Sequence, residues 1–153
     1  MYSPTDEVTD AKELRDILGE VPASQAVKAI DHIDSHCRMW IERSPFIVIS
    51  SANSAGEIDV SPKGCPSVFV KVLDKNTLAI PDSPGNRRVD TMHNLLENPQ
   101  LGILFVVPRR GEVLRVRGTG KIARDTALLD TMAVNNRRPV LAIVVRVHSA
   151  MFH

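Results

Sequence analysis

The sequence predicts a mostly antiparallel β-sheet curling toward a barrel, with helices at its flanks. Three observations carry this prediction. After Pro45, seven segments rich in β-branched or alternating apolar residues follow one another, the composition that suits a pleated, half-buried surface. Few of their connections are long enough for helical crossovers, which favours antiparallel neighbours. The segment from Glu112 to Ile122 places Leu114, Val116, Gly118, Gly120 and Ile122 on one side and Arg115, Arg117, Thr119 and Lys121 on the other. Glycines on one face of a strand permit sharp curvature or close approach by a neighbour, as a barrel requires.

Residues 1–22 are polar, are broken by Pro4 and Pro22, and read as an arm with a weak helix over Thr9–Leu18 stopped by Gly19. Residues 23–43 carry the clearest helical spacing, through Ala26, Val27, Ile30, Ile33, Cys37, Trp40 and Ile41. Trp40 reads as a packing anchor. His32 and His36 would share one helix face, but no third ligand accompanies them, so they read as polar-face residues and no metal is expected. Pro45 ends the helix.

The first hairpin is Phe46–Ser50 with Glu57–Ser61, joined through Asn53-Ser54-Ala55-Gly56. Val68–Val72 and Thr77–Ile80 are the next strands. A helix over Val89–Leu96 is closed by Asn98-Pro99. Leu101–Val107 is nearly all apolar and reads as a central strand. A short helix from Asp125 to about Val134 precedes the polar break Asn135-Asn136-Arg137-Arg138-Pro139, and Val140–Val147 is the last strong strand.

At 153 residues with a formal net charge of +1, the chain suits one domain and gives no support for binding nucleic acid or membrane through bulk charge. Cys37 and Cys65 lie in unrelated surroundings and form neither a disulfide framework nor a zinc site. A reducing cytoplasm is the simpler context. The N-terminus lacks a signal-peptide pattern, and no apolar run approaches the ~20 residues that span a bilayer.

Two stretches attract chemistry. Ser61-Pro62-Lys63-Gly64 combines hydrogen-bonding side chains with a backbone path fixed by proline and glycine. Ile80-Pro81-Asp82-Ser83-Pro84-Gly85-Asn86-Arg87-Arg88 reads as strand end, tight turn and paired arginines leading into a helix. Turn amides and arginine forks both suit a phosphate; alone, the stretch equally describes a basic, capped surface turn. Arg109, Arg110, Arg115 and Arg117 form a basic stripe whose readings are a solvated face, a subunit contact or a nucleic-acid surface. There is no nucleophile elbow, Walker loop or dinucleotide fingerprint. A cofactor that supplies its own chemistry suits this residue set better than catalytic side chains.

Four segments taken together resemble the pyridoxamine 5'-phosphate oxidase-related split-barrel flavoproteins: Ile58–Gly64, Leu78–Arg88, Asn94–Phe105 and Leu114–Gly120. The resemblance covers roughly residues 26–153 and lies in the order and spacing of the segments. It implies an FMN-binding split β-barrel, antiparallel and Greek-key-like, over 23–153, with FMN between the subunits of a homodimer. It implies Ser61, Pro62, Lys63 and Gly64 beside the isoalloxazine or ribityl chain, with Lys63 as a tuning residue. Ile80, Pro81 and Asp82 would line the flavin site, Asn86, Arg87 and Arg88 would hold the phosphate, and Arg115 and Arg117 would meet the ribityl chain or the partner subunit. Related barrels use F420 or haem; the Asn86-Arg87-Arg88 turn favours FMN. The expected activity is hydride or electron transfer through the flavin, with two alternatives: a flavin or phosphate-ligand binder without turnover, and a nucleic-acid-binding barrel. Authentic pyridoxamine phosphate oxidases carry a C-terminal arginine- and histidine-containing segment. The chain ends at His153 without it, so a vitamin-B6 oxidase is not expected and the domain reads as truncated.

Overall fold

The apolar-polar alternation of the sequence builds seven strands: β1 (Phe46–Ala52), β2 (Ile58–Gly64), β3 (Lys71–Asp74), β4 (Thr77–Asp82), β5 (Gln100–Val106), β6 (Val113–Ala123) and β7 (Leu141–Phe152). Among the described residues four helices accompany them: α1 (Ala11–Leu18), α2 (Ser35–Arg43), α3 (Asp90–Glu97) and α4 (Thr126–Asp130). The structure, a computed structural model, describes residues 2–23, 28–65, 69–82, 85 and 88–153. All strand pairs are antiparallel, in the order β2-β1-β5-β6-β7-β4-β3. Among the described residues no hydrogen-bonded ladder joins β2 to β3 or β4, so the sheet curls without closing. The expected closure is thus incomplete, and β2 and β3 remain edge strands.

One face of the curled sheet forms the core. Ile47, Ile49, Leu78, Ile80, Phe105, Leu114, Ile143 and Val145 are fully buried there. β6 behaves as its alternation predicts, with Leu114 and Val116 inward and Arg115 and Arg117 outward. Its glycines have a steric reason. A Cβ on Gly118 would lie 2.1 Å from the Arg146 carbonyl oxygen, at the bulge between Arg117 and Gly118 where β6 bends across β7. On Gly120 it would meet the Leu101 side chain at 2.7 Å.

The helix expected over 23–43 is shorter. It begins at Ser35 because the Asp34 carboxylate accepts a hydrogen bond from the Cys37 amide at 2.7 Å, a side-chain N-cap. Ahead of it, Ile30 is held in an extended bridge with Ala150, which competes with helix for its backbone groups. Residues 24–27 lie outside the described set. Trp40 is the anchor expected of it: buried, donating Nε1–H to the Phe105 carbonyl at 3.1 Å, and edge-on to Phe152. His32 pairs with Asp31, while His36 stacks on Phe152. No cluster of three metal-ligating side chains occurs among the described residues.

The third strand starts at Lys71 rather than Val68, which lies outside the described set. α4 ends at Asp130, and Val134–Arg137 then forms a two-residue hairpin turn, with Asn135 and Asn136 at φ 51° and 60°. Asparagine tolerates this left-handed conformation better than most residues. β7 runs on to Phe152, well past the expected Val147. α1 buries none of its residues, as suits an arm. No helix among the described residues is long and apolar enough to cross a membrane.

Candidate functional site

The seam where the sheet fails to close positions the candidate site. β2 lies at one end of the strand order and β4 near the other. Across the gap, Lys63 Nζ donates to Asp82 Oδ1 at 2.5 Å, with the two side chains only 20% and 29% exposed. Lys63 reaches this position because β2 alternates Asp59, Ser61 and Lys63 inward. Asp82 is delivered by the last residue of β4. This clasp is a wall shared by two clefts.

The first cleft encloses about 710 Å³. Its polar side is built from Asp59, Ser61, Lys63 and Asp82, and its apolar side from Met92, Val140 and Ile143. One end is the turn at Gly85 and Arg88 leading into α3. α3 is fastened to the sheet by two buried or half-buried contacts: Thr91 Oγ1 donates to Asp59 Oδ2 at 2.7 Å, and Asn94 Nδ2 donates to Ser51 Oγ at 3.1 Å. Val89, the residue before the helix, supplies no side-chain cap. The first-turn amides and the helix dipole therefore face the cleft end without a competing side-chain cap oxygen. Arg88 is oriented there by an ion pair from its Nε to Asp90 Oδ2 at 2.9 Å.

The second cleft, about 1050 Å³, lies on the other side of the clasp. Gly64, Pro81, Phe69 and Met132 line it with Arg137 and Arg138 of the hairpin turn.

The structure thus gathers Ser61, Pro62, Lys63, Asp82 and Arg88 around the first cleft. Gly64 and Pro81 line the second instead, because alternation and the strand ends turn them past the clasp. Ile80 lines neither: its side chain is fully buried in the core, since β4 is covered on both sides at that point. Arg115 and Arg117 also lie away from both clefts, on the outer face of β6, because their strand phase opposes that of Leu114 and Val116. Asn86 and Arg87 lie outside the described residues. Sequence reasoning missed Asp59 and Thr91, whose pairing depends on how α3 docks. It also missed Arg137 and Arg138, although Asn135-Asn136 is a turn signal that could have drawn attention to them.

A helix start beside an arginine favours an anionic group at that end of the groove, and the wall opposite is apolar. The family model described as pyridoxamine 5'-phosphate oxidase matches residues 33–150. The chain belongs to the pyridoxamine 5'-phosphate oxidase family. It is 32% identical over 97 residues to the pyridoxamine 5'-phosphate oxidase family protein ustO of Aspergillus flavus, an alignment covering 60% of this chain and 37% of that protein. The match therefore spans little more than a third of that relative's length.

Among solved structures, HupZ of Group A Streptococcus superposes with a TM-score of 0.60 at 17% identity, covering 75% of this chain and 89% of that one. An FMN-binding protein from Syntrophomonas wolfei superposes with a TM-score of 0.57 at 10% identity, covering 75% and 86%. These likenesses show the fold alone, a split barrel of the kind the resemblance implied.

Proposed function

We propose that the chain is an FMN-binding oxidoreductase that works as a homodimer, with the flavin in the first cleft. The observation that supports this most is the cleft itself, about 710 Å³, which joins an anion-favouring helix start to a polar row on β2. Arg88 and the first-turn amides of α3 hold the phosphate, and Arg87 and Asn86 belong to the same turn in sequence. Ser61 and Lys63 hydrogen-bond the polar edge of the ring system, while Val140 and the exposed edge of Met92 supply apolar contact. When bound, FMN supplies hydride or electron transfer. Lys63 places a positive charge where negative charge develops on reduction, and Asp82 fixes that ammonium in place.

The outer sheet face supports the dimer. Ile58 and Val60 are 73% and 61% exposed, and Phe46 and Leu104 continue the apolar patch beside Arg115 and Arg117. Edge strand β2 belongs to both this face and the first cleft, so a second copy seated there would border the flavin. Arg115 and Arg117 are then subunit contacts.

Purified protein is expected to be yellow, to release FMN on denaturation, and to sediment as a dimer. Colourless protein that takes up no added FMN refutes the cofactor, and a strictly monomeric holoprotein refutes the shared site. Reduction of the holoprotein by NADH or NADPH in stopped flow separates turnover from simple flavin storage.

A further inference from the structure

We infer that α1 of a second copy docks across the outer face of β5 and β6, its apolar stripe over Gly102 and its carboxylates against Arg115 and Arg117. The inference rests on the dimer proposed above and names the segment of the partner that covers this face.

The arm presents an uncovered apolar stripe. Asp10 caps α1 by accepting from the Glu13 amide at 2.8 Å, Gly19 closes it with φ 76°, and Lys12 pairs with Asp16 on its polar side. Leu14, Ile17 and Leu18 share the opposite side at helical spacing, and Val21 follows them. Leu14, Ile17 and Leu18 are 45%, 63% and 70% exposed, and α1 buries none of its residues in its own chain. A helix shorter than about 12–15 residues is marginal in water, so α1 gains persistence by packing its stripe on another surface.

The sheet presents a notch. Cross-strand register sets Ser50, Gly102 and Arg117 in one outward row and Val48, Leu104 and Arg115 in the next. Gly102 lies inside β5, where glycine weakens a strand. Nothing in the protomer requires it: its φ is not positive, and a Cβ there would meet nothing within 4 Å. Glycine in a strand interior often marks the close approach of another backbone, and here that approach is from outside the protomer.

Charge selects the occupant. Residues 1–22 carry six carboxylates against two cations, in a chain whose formal net charge is +1. Arg115 and Arg117 are exposed and form no ion pair among the described residues. Glu13 lies next to Leu14, on the flank of the stripe, and Glu20 follows the helix. Seating the stripe on the notch therefore brings carboxylates to the two arginines. Each protomer offers one arm and one face, so a two-fold exchange covers both surfaces of both copies.

The test is sedimentation velocity on two full-length variants, alone and mixed. One reverses the arm, Glu13→Lys with Glu20→Lys; the other reverses the face, Arg115→Glu with Arg117→Glu. Alone, each opposes like charges in both contacts, and its dimer dissociation constant is expected to rise at least about tenfold over the parent. Mixed, the two should form a heterodimer of near-parental affinity, because each arm then meets a face of opposite charge. Gly102→Val fills the notch and should also weaken the dimer, while far-UV circular dichroism matching the parent shows that every variant folds. An arm reversal that leaves the dissociation constant unchanged overturns the inference, because the arm then lies off the interface. Loss in each variant without recovery on mixing overturns it too, because the arm then docks on its own chain. A parent that stays monomeric at every concentration refutes the dimer as well, whereas a dimeric parent indifferent to arm charge refutes the docked arm alone.

Discussion

The Lys63–Asp82 clasp should be worth more than a surface ion pair, and a double-mutant cycle measures by how much. At 2.5 Å and an effective dielectric of about 20, two unit charges attract by about 7 kcal/mol before solvation is counted. Desolvating both groups cancels most of that. Truncating one partner costs roughly 3–5 kcal/mol in a fully buried pair and about 0–1 kcal/mol on the surface. With side chains 20% and 29% exposed, this pair lies between the limits, at about 2 kcal/mol for each single change by interpolation. Lys63→Met leaves the Asp82 carboxylate half-buried without its ammonium, and Asp82→Asn leaves the ammonium facing a neutral amide. The double variant removes both orphaned charges and should lose less than the sum, with a coupling of about 1–2 kcal/mol. Urea unfolding of the four proteins at pH 7 is the assay. Because no ladder joins β2 to β4, the same variants should widen the seam and weaken FMN binding. Single effects that add to within about 0.5 kcal/mol would show that the clasp does not hold the seam.

Gly118→Ala should be severe, about 3 kcal/mol or more, because its Cβ meets backbone, whereas Gly120→Ala should cost about 1–2 kcal/mol because side-chain ends can move; equal melting temperatures for the two would refute the distinction. Cys37 is 2% exposed, and burial, helped by the Asp34 carboxylate, pushes its thiol up to about 11. In native protein at pH 8 a thiol reagent should therefore titrate Cys65 first and Cys37 only on unfolding. The unfolded thiol ionises from about pH 8.5 while the folded one keeps its proton. Stability should therefore fall as pH rises toward about 11, and Cys37→Ser should flatten that slope. Asp34 is held below the usual carboxylate range, chiefly by the Cys37 amide. Its contribution is present above the ordinary carboxylate pKa and lost as pH falls through the depressed one. Asp34→Ala should cost about 1 kcal/mol at pH 7, and Asp34→Asn should keep the cap but lose the acid dependence, both read from denaturation curves at pH 7 and pH 3.

The sheet was legible in the sequence because alternation and strand chemistry are local. β6 declared its buried and exposed faces through Leu114, Val116, Arg115 and Arg117, and its glycines marked the bend against β7. The start of α2 was not legible from apolar spacing, since Ile30 has helical phase but pairs with Ala150, which is distant in sequence. Ile80 lines neither cleft for a related reason. A strand end next to a candidate turn looks functional, and only the packing around β4 shows that its side chain is sealed in the core. Lys63 and Asp82 each stood out in the sequence, yet their joining across the seam depends on the curl of the whole sheet.

That curl also explains why the chemistry gathers where it does. A closed barrel would satisfy the edges of β2 and β3 with backbone hydrogen bonds and leave no room between the two ends of the sheet. Here the sheet stops short, and one ion pair spans what the ladder does not. A side-chain bridge occupies a single point along the gap, so space remains on both sides of it. Those spaces are the two clefts, and both are lined by Pro62, Lys63 and Asp82. The first ends at Arg88 and the start of α3, and the second ends at Arg137. Each therefore has a cation at its outer end and the clasp at its inner end. Lys63 carries the one ammonium among the described residues that lines both clefts. The incomplete closure of the sheet is thus what leaves room for two clefts, one on each side of the Lys63–Asp82 pair, in a chain of 153 residues.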